Sequence, residues 1–259
     1  MVWAAAFFWI LISAPVVFFA LTGVDQSIRA GYSIISQIIS PVLAASLCYW
    51  AASVFLDSSI MRKVWRLLGS GVLLWGVGAI LYSVYPLFND GQETPYPWYS
   101  DYGYLLMYIP CLLAFIYFKQ HLNQRIPNWG ILMAVAVFCM AFVLAIYFYI
   151  EKLVQSDSVA TYIVTLLYMF GDPILLGSVV LIASTLTRTA EVRAWWLVSV
   201  GFLLFYIANV MYTYLVLVGS YMSGNVVDIG WVLGFGLIGI AALITKTAQK
   251  NDLVKKSYV

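Results

Sequence analysis

The sequence is short of charge. Of its 259 residues only 9% are Asp, Glu, Lys or Arg, against about 25% in a soluble domain. That is too little to cover a water-facing surface, and lipid is the consistent solvent. Histidine is scarcer still, with His121 alone. One histidine excludes paired-histidine haem ligation and argues against a zinc site. It lies in a polar loop, so an intramembrane serine or metalloprotease, which needs a histidine at depth, is excluded too. Cys48, Cys111 and Cys139 sit in apolar runs with no pairing or metal spacing; they read as small buried hydrophobes. A retinal Schiff base needs a lysine deep in the last helix, and Lys246 stands at its end. An intramembrane aspartyl protease needs two aspartates at depth, one in Gly-x-Gly-Asp. Here Gly171-Asp172 lacks the first glycine, and no second aspartate sits at depth. These absences point away from an enzyme, a metal centre and a cofactor. The net charge of +2 implies no nucleic-acid partner.

Apolar residues are abundant, at 64% of the chain with a mean hydropathy of +0.94. Crossing about 30 Å of hydrocarbon takes roughly 20 of them. Eight runs are long enough: 3–21, 33–55, 67–87, 99–118, 129–150, 160–186, 194–218 and 226–245. The expected fold is all-α and polytopic. The first run has no basic segment before it, so it reads as a membrane helix and not a cleaved signal peptide. Aromatics reach 17%, with 10 Trp and 19 Tyr, as two membrane interfaces require.

The charges sort by side. Arg62, Lys63, Arg66, Lys119, Arg125, Arg188, Arg193, Lys246, Lys250, Lys255 and Lys256 fall in the even-numbered connections and the tail. Only Arg29 and Lys152 fall opposite, with Asp25, Asp90, Glu93, Asp101, Glu151, Asp157 and Asp228. The positive-inside rule then places both termini in the cytoplasm of a plasma-membrane protein.

The two halves echo each other. Pro41 and Ser46 of span two match Pro173 and Ser178 of span six at an offset of 132. Gly71 and Tyr82 match Gly201 and Tyr212 at an offset of 130. Gly103 and Tyr104, after Asp101, match Gly230 and Trp231, after Asp228. Such costly residues, coinciding in order, indicate a duplication. Four helices is an even number, so the copies form a parallel repeat about an axis along the membrane normal. The expected units are residues 1–122, residues 123–248 and a basic cytoplasmic tail at 249–259.

Asp172 is the sharpest residue. A charge at the centre of a membrane helix costs about 2.5–3.5 kcal/mol on insertion scales. Pro173 follows it, so a kinked or broken helix centre is expected. The functional reading is a ligand, ion or proton site; the structural one is a hydrogen bond between helices. Asn209 stands at similar depth in span seven and could bond Asp172 directly. Tyr206, Asn209 and Thr213 share one helical face, flanked by Tyr212. The first copy has Ser40 and Ala79 where the second has Asp172 and Asn209. Asp101 and Asp228 open the fourth and eighth spans, either as helix caps or as an acidic pair rimming a vestibule. Tyr82, Tyr168 and Trp231 complete the candidate ligand-binding set. The basic tail reads as an anchor to anionic lipid or as a contact for a signalling partner.

Gly171-Asp172, then Asn209, Tyr212, Gly219, Tyr221, Gly224, Asp228 and Trp231, form a pattern that Tyr82, Asp101 and Tyr104 echo in the first copy. It resembles the multi-pass sensory regions, of seven to eight helices, at the N-terminus of bacterial and archaeal signalling proteins. Those regions often precede diguanylate cyclase or histidine kinase domains. The resemblance covers spans two to four and six to eight. It departs at Asn209, where family members often carry Asp, and these 259 residues include no output domain. It implies a receptor or sensor that binds a small or amphipathic ligand near Asp172 and signals through a separate cytoplasmic protein. A proton-coupled transporter and a non-catalytic assembly subunit are the alternatives.

Overall fold

The computed structural model describes residues 2–89, 92, 94–122, 124–154, 158–186 and 190–257. Asp90, Glu93, Asp157 and Arg188, which the charge pattern counts, lie outside the described residues, as do the side chains of Lys152, Lys255 and Lys256. Among the described residues the fold is all α. Its elements are α1 (Val2–Thr22), α2 (Gln26–Ala52), α3 (Ile60–Phe88), α4 (Tyr99–Leu106), α5 (Tyr108–Leu122), α6 (Asn128–Val154), α7 (Val159–Ser184), α8 (Ala190–Leu217), a 3-10 turn at Val226–Asp228 and α9 (Ile229–Ser257). Among the described residues eight helical spans are long and apolar enough to cross a membrane, α4 and α5 together making the fourth.

The helices outrun the apolar runs because backbone hydrogen bonding continues past the hydrocarbon edge. α2 begins seven residues before its apolar run, where Asp25 caps it by accepting the Ser27 N–H at 2.8 Å. At the other end of the chain α9 continues to Ser257. The segment from 249, expected as a separate tail, is helical as far as it is described.

Of the kinked or broken centre expected at Pro173, the break is absent: α7 is helical through Pro173, as α2 is through Pro41. The interruption falls instead at Met107, between α4 and α5. Pro110 explains it, since this residue has no N–H to offer the Leu106 carbonyl one turn earlier.

Six spans close into a ring through contacts of α2 with α3, α3 with α4 and α5, α5 with α7, α7 with α8, α8 with α9, and α9 with α2. α1 leans on α9 and α2, and α6 on α7 and α8. Both outer helices turn large apolar side chains outward, including Trp3, Phe7 and Leu11 on α1 and Leu132, Val143 and Tyr147 on α6. In water each such side chain would forgo roughly 1.5–3 kcal/mol of burial; facing lipid it forgoes nothing.

Lipid is as apolar as leucine, so the ring coheres through close backbone approach and polar bonds. Gly103 of α4 lies against Gly78 and the Leu74 carbonyl of α3; Gly230 of α9 lies against Ala208 and the Leu204 carbonyl of α8. Gly71 faces the Met107 carbonyl, and Gly201 the Gly234 carbonyl. Aromatic rings fill the middle of the ring. Trp65 meets Trp195 at 5.9 Å between centroids, Trp75 meets Phe205 at 5.8 Å, and Phe118 stacks on Trp195 at 4.0 Å.

Candidate functional site

Asp172 is buried, 3% exposed, in the middle of α7. Its carboxylate has two neutral donors. Tyr108 of α5 donates its hydroxyl to Oδ1 at 2.7 Å, and Asn209 of α8 donates Nδ2 to Oδ2 at 2.9 Å. Gly171 makes the first bond feasible: a Cβ there would stand 2.6 Å from the Tyr108 ring. Trp231 of α9 then donates its indole N–H to Asn209 Oδ1 at 2.8 Å. An indole nitrogen can only donate, so this bond fixes which way the Asn209 amide faces. The result is a chain of polar contacts, Trp231 to Asn209 to Asp172 to Tyr108, across four helices.

Beside this chain lies a cavity of about 90 Å³. It sits toward the end of the bundle that carries the 92–98 and 218–225 connections, and Tyr96 and Tyr221 from those connections line it. Tyr108, Asn209 and Trp231 form part of its wall, so three members of the polar chain face it while Asp172 stands behind them. Asp101, Tyr82, Tyr168 and Tyr212 line it as well, from α4, α3, α7 and α8.

The remaining candidates are placed differently. Tyr206 points away from the cavity and donates to the Ala141 carbonyl of α6 at 2.6 Å. Asp228 is fully buried. It accepts from the Ser33 hydroxyl of α2, from the Gly224 N–H at 2.8 Å and from the Tyr221 hydroxyl at 3.1 Å. It therefore closes the 218–225 connection onto α2 and does not rim an opening. Asp101 has two tasks. Its Oδ2 accepts the Trp98 N–H at 2.7 Å, at the start of α4, and its Oδ1 accepts the Tyr168 hydroxyl at 2.7 Å. Burial raises the phenols of Tyr96 and Tyr221 well above the ordinary tyrosine value, so both keep their protons.

Sequence reasoning did not find Tyr108, Tyr149 or Trp75, all of which line the cavity. A signal for Tyr108 was present. Asp101, Tyr104 and Tyr108 stand at i, i+3 and i+7, one face of a helix. Among the described residues no three His, Cys, Asp or Glu side chains are grouped to hold a metal ion.

The geometry separates two substitutions at Asp172. Asp172→Leu strands the Tyr108 hydroxyl and the Asn209 amide. With bonds between membrane helices averaging about 0.6 kcal/mol and stranded buried donors costing more, a loss of about 2 kcal/mol is expected. Asp172→Asn can still accept from Asn209 and donate to the Tyr108 oxygen, so its loss should stay under about 1 kcal/mol. Unfolding midpoints in a graded SDS titration check this; equal losses for the two variants would show that the bonds carry no weight. Comparison of the chain with protein-family models, with curated proteins and with solved structures finds no match.

Proposed function

We propose that this chain is a plasma-membrane receptor or sensor of two parallel four-helix repeats, with both termini cytoplasmic. It binds a small or amphipathic ligand in the cavity beside Asp172 and signals through a separate cytoplasmic protein. The observation that carries this reading is the cavity itself, walled by Tyr108, Asn209 and Trp231 and joined through them to a buried carboxylate. A merely structural hydrogen bond needs no cavity beside it.

The contacts support the repeat. Trp65 and Trp195, Trp75 and Phe205, and Tyr82 and Tyr212 each stand 130 residues apart. Each pair meets, the last through a hydrogen bond. One spacing held at three levels of the bundle has α3 and α8 running the same way in register, which supports a parallel repeat. Gly103 and Gly230 agree, each lying against a leucine carbonyl and a small residue at matching positions. The cavity then lies on the axis between the repeats, where a ligand would bias their relative position. A shift there would pass to α9 and its Lys246 and Lys250.

Thermal unfolding of the purified chain, measured against a mixed panel of small cations, anions, sugars and neutral aromatics, tests the reading. At a hundredfold excess over Kd a true ligand should raise Tm by about 5 °C or more, and Asn209→Leu should remove the shift. If no class of compound moves Tm, the receptor reading fails. A proton-coupled transporter is the second reading, favoured by a buried Asp172 held only by neutral donors. Uptake into proteoliposomes driven by a pH gradient would select it.

A further inference from the structure

We infer that the cavity is built for a small organic cation, a quaternary ammonium or a protonated amine; the inference rests on the reading that this cavity is the ligand site. Among the described residues the wall contains no Lys, Arg or His, and its one ionisable carboxyl is Asp101. An anion would find no counter-charge there.

The direction of the hydrogen bonds is more telling than the composition. Tyr108 and Asn209 donate to Asp172, Tyr168 donates to Asp101, and Tyr221 donates to Asp228. A tyrosine hydroxyl has one proton and two lone pairs. With the proton committed to a carboxylate, each of these phenols has only lone pairs left to offer the cavity. The indole N–H of Trp231 is likewise committed, to Asn209. Three aspartates standing in or behind the wall thus draw its donors outward. These three phenols and this indole therefore leave lone pairs and aromatic carbon for the cavity, beside the second N–H of Asn209 and of Gln37.

The aromatic part has the same sign. Trp75, Trp231, Tyr82, Tyr104 and Tyr212 line the space, and Trp75 packs against Tyr104 at 5.1 Å and Trp231 at 6.0 Å. Ring faces carry the negative end of the aromatic quadrupole and attract a desolvated cation. Lone pairs, aromatic rings and a carboxylate around one small cavity all favour positive charge. The volume of about 90 Å³ calls for a small cation, of about the size of choline.

Three probes with one carbon skeleton and three charges decide the matter: choline, 3,3-dimethylbutan-1-ol and 3,3-dimethylbutanoate. Binding to the full chain in detergent is read by thermal shift and by indole emission. Choline should bind at least about tenfold more tightly than the neutral alcohol, and the carboxylate should not bind. Asp101→Asn should weaken choline about tenfold and leave the alcohol unchanged. Because Asp101 also holds α4 and Tyr168, Tyr104→Leu provides a second test: it should weaken choline selectively without touching either bond. If the alcohol or the carboxylate matches choline, the cation assignment falls while the cavity remains a ligand site. If none of the three binds, the assignment falls as well, and the mixed panel decides whether the cavity binds anything. Failure of every compound class overturns the receptor reading beneath it.

Discussion

Gly103→Val is expected to leave no folded protein. A Cβ at this position would fall on the backbone of Gly78 and within 2.8 Å of the Leu74 carbonyl oxygen. Backbone cannot rotate aside as a flexible side chain can, so α3 and α4 would have to separate. Overpacking commonly costs about 1–3 kcal/mol when side chains absorb it, and more when they cannot. Against a total stability of about 5–15 kcal/mol, a loss beyond 3 kcal/mol is severe. The effect reaches the site, because α4 is eight residues long and carries both Asp101 and Tyr104. Size-exclusion profiles of the solubilised protein should show little or no monodisperse peak for valine and a reduced one for Gly103→Ala. A normal peak for valine would mean that the two helices do not approach as described.

Gly224→Val should be nearly as damaging, by a different route. Gly224 has φ of +88°, in the left-handed region, and a Cβ there would stand 2.7 Å from the Arg29 backbone. A non-glycine residue in that region costs about 1–2 kcal/mol before any clash is counted, and valine is branched at Cβ. The Gly224 N–H also holds Asp228, so a shift of this connection loosens the one buried carboxylate that ties it to α2. A loss of about 3 kcal/mol corresponds to a fall in Tm of roughly 6–12 °C for a chain of this size. Limited proteolysis should then cut within 218–225 while the helices survive. A wild-type Tm would contradict the constraint. Both glycines are expected to matter more for stability than Asp172, although Asp172 is the residue that catches the eye. In a membrane the alternatives to a polar bond include other polar bonds, whereas backbone overlap has no alternative.

Much of this was legible in the sequence. The eight spans follow from hydrocarbon thickness, a constraint that acts along the chain and needs no knowledge of packing. The bond between Asp172 and Asn209 followed from depth, since both stand mid-span in neighbouring helices. Tyr108 was harder. It reaches Asp172 only because α5 packs on α7, and nothing in spans four or six states that adjacency. The glycine that admits its ring, Gly171, was visible, but what it admitted was not. Tyr206 shows the converse. It shares a helical face with Asn209 and Thr213, yet a face covers about 100°, enough for Tyr206 to serve α6 while Asn209 serves the cavity. Asp228 was read as a cap or a rim; its burial depends on a return of the connection over α2, set by Gly219 and Gly224 at positive φ. Proline alone did not place the helix break: α7 stays helical through Pro173, while the fourth span is interrupted at Met107, one turn before Pro110.

The buried Trp65 and Trp195, tilted 37° to each other at 5.9 Å, have an optical consequence. At such a separation two indole transition dipoles couple, and the pair absorbs as one chromophore with a signed near-ultraviolet dichroism. Trp65 belongs to α3 and Trp195 to α8, on opposite sides of the ring of spans. The couplet therefore reports whether these two helices hold their mutual angle. Neither indole lines the cavity, whereas Trp75 and Trp231, 6.0 Å apart, both do, so the part of the dichroism that Trp65→Phe removes reads movement of the scaffold and not direct contact with a solute.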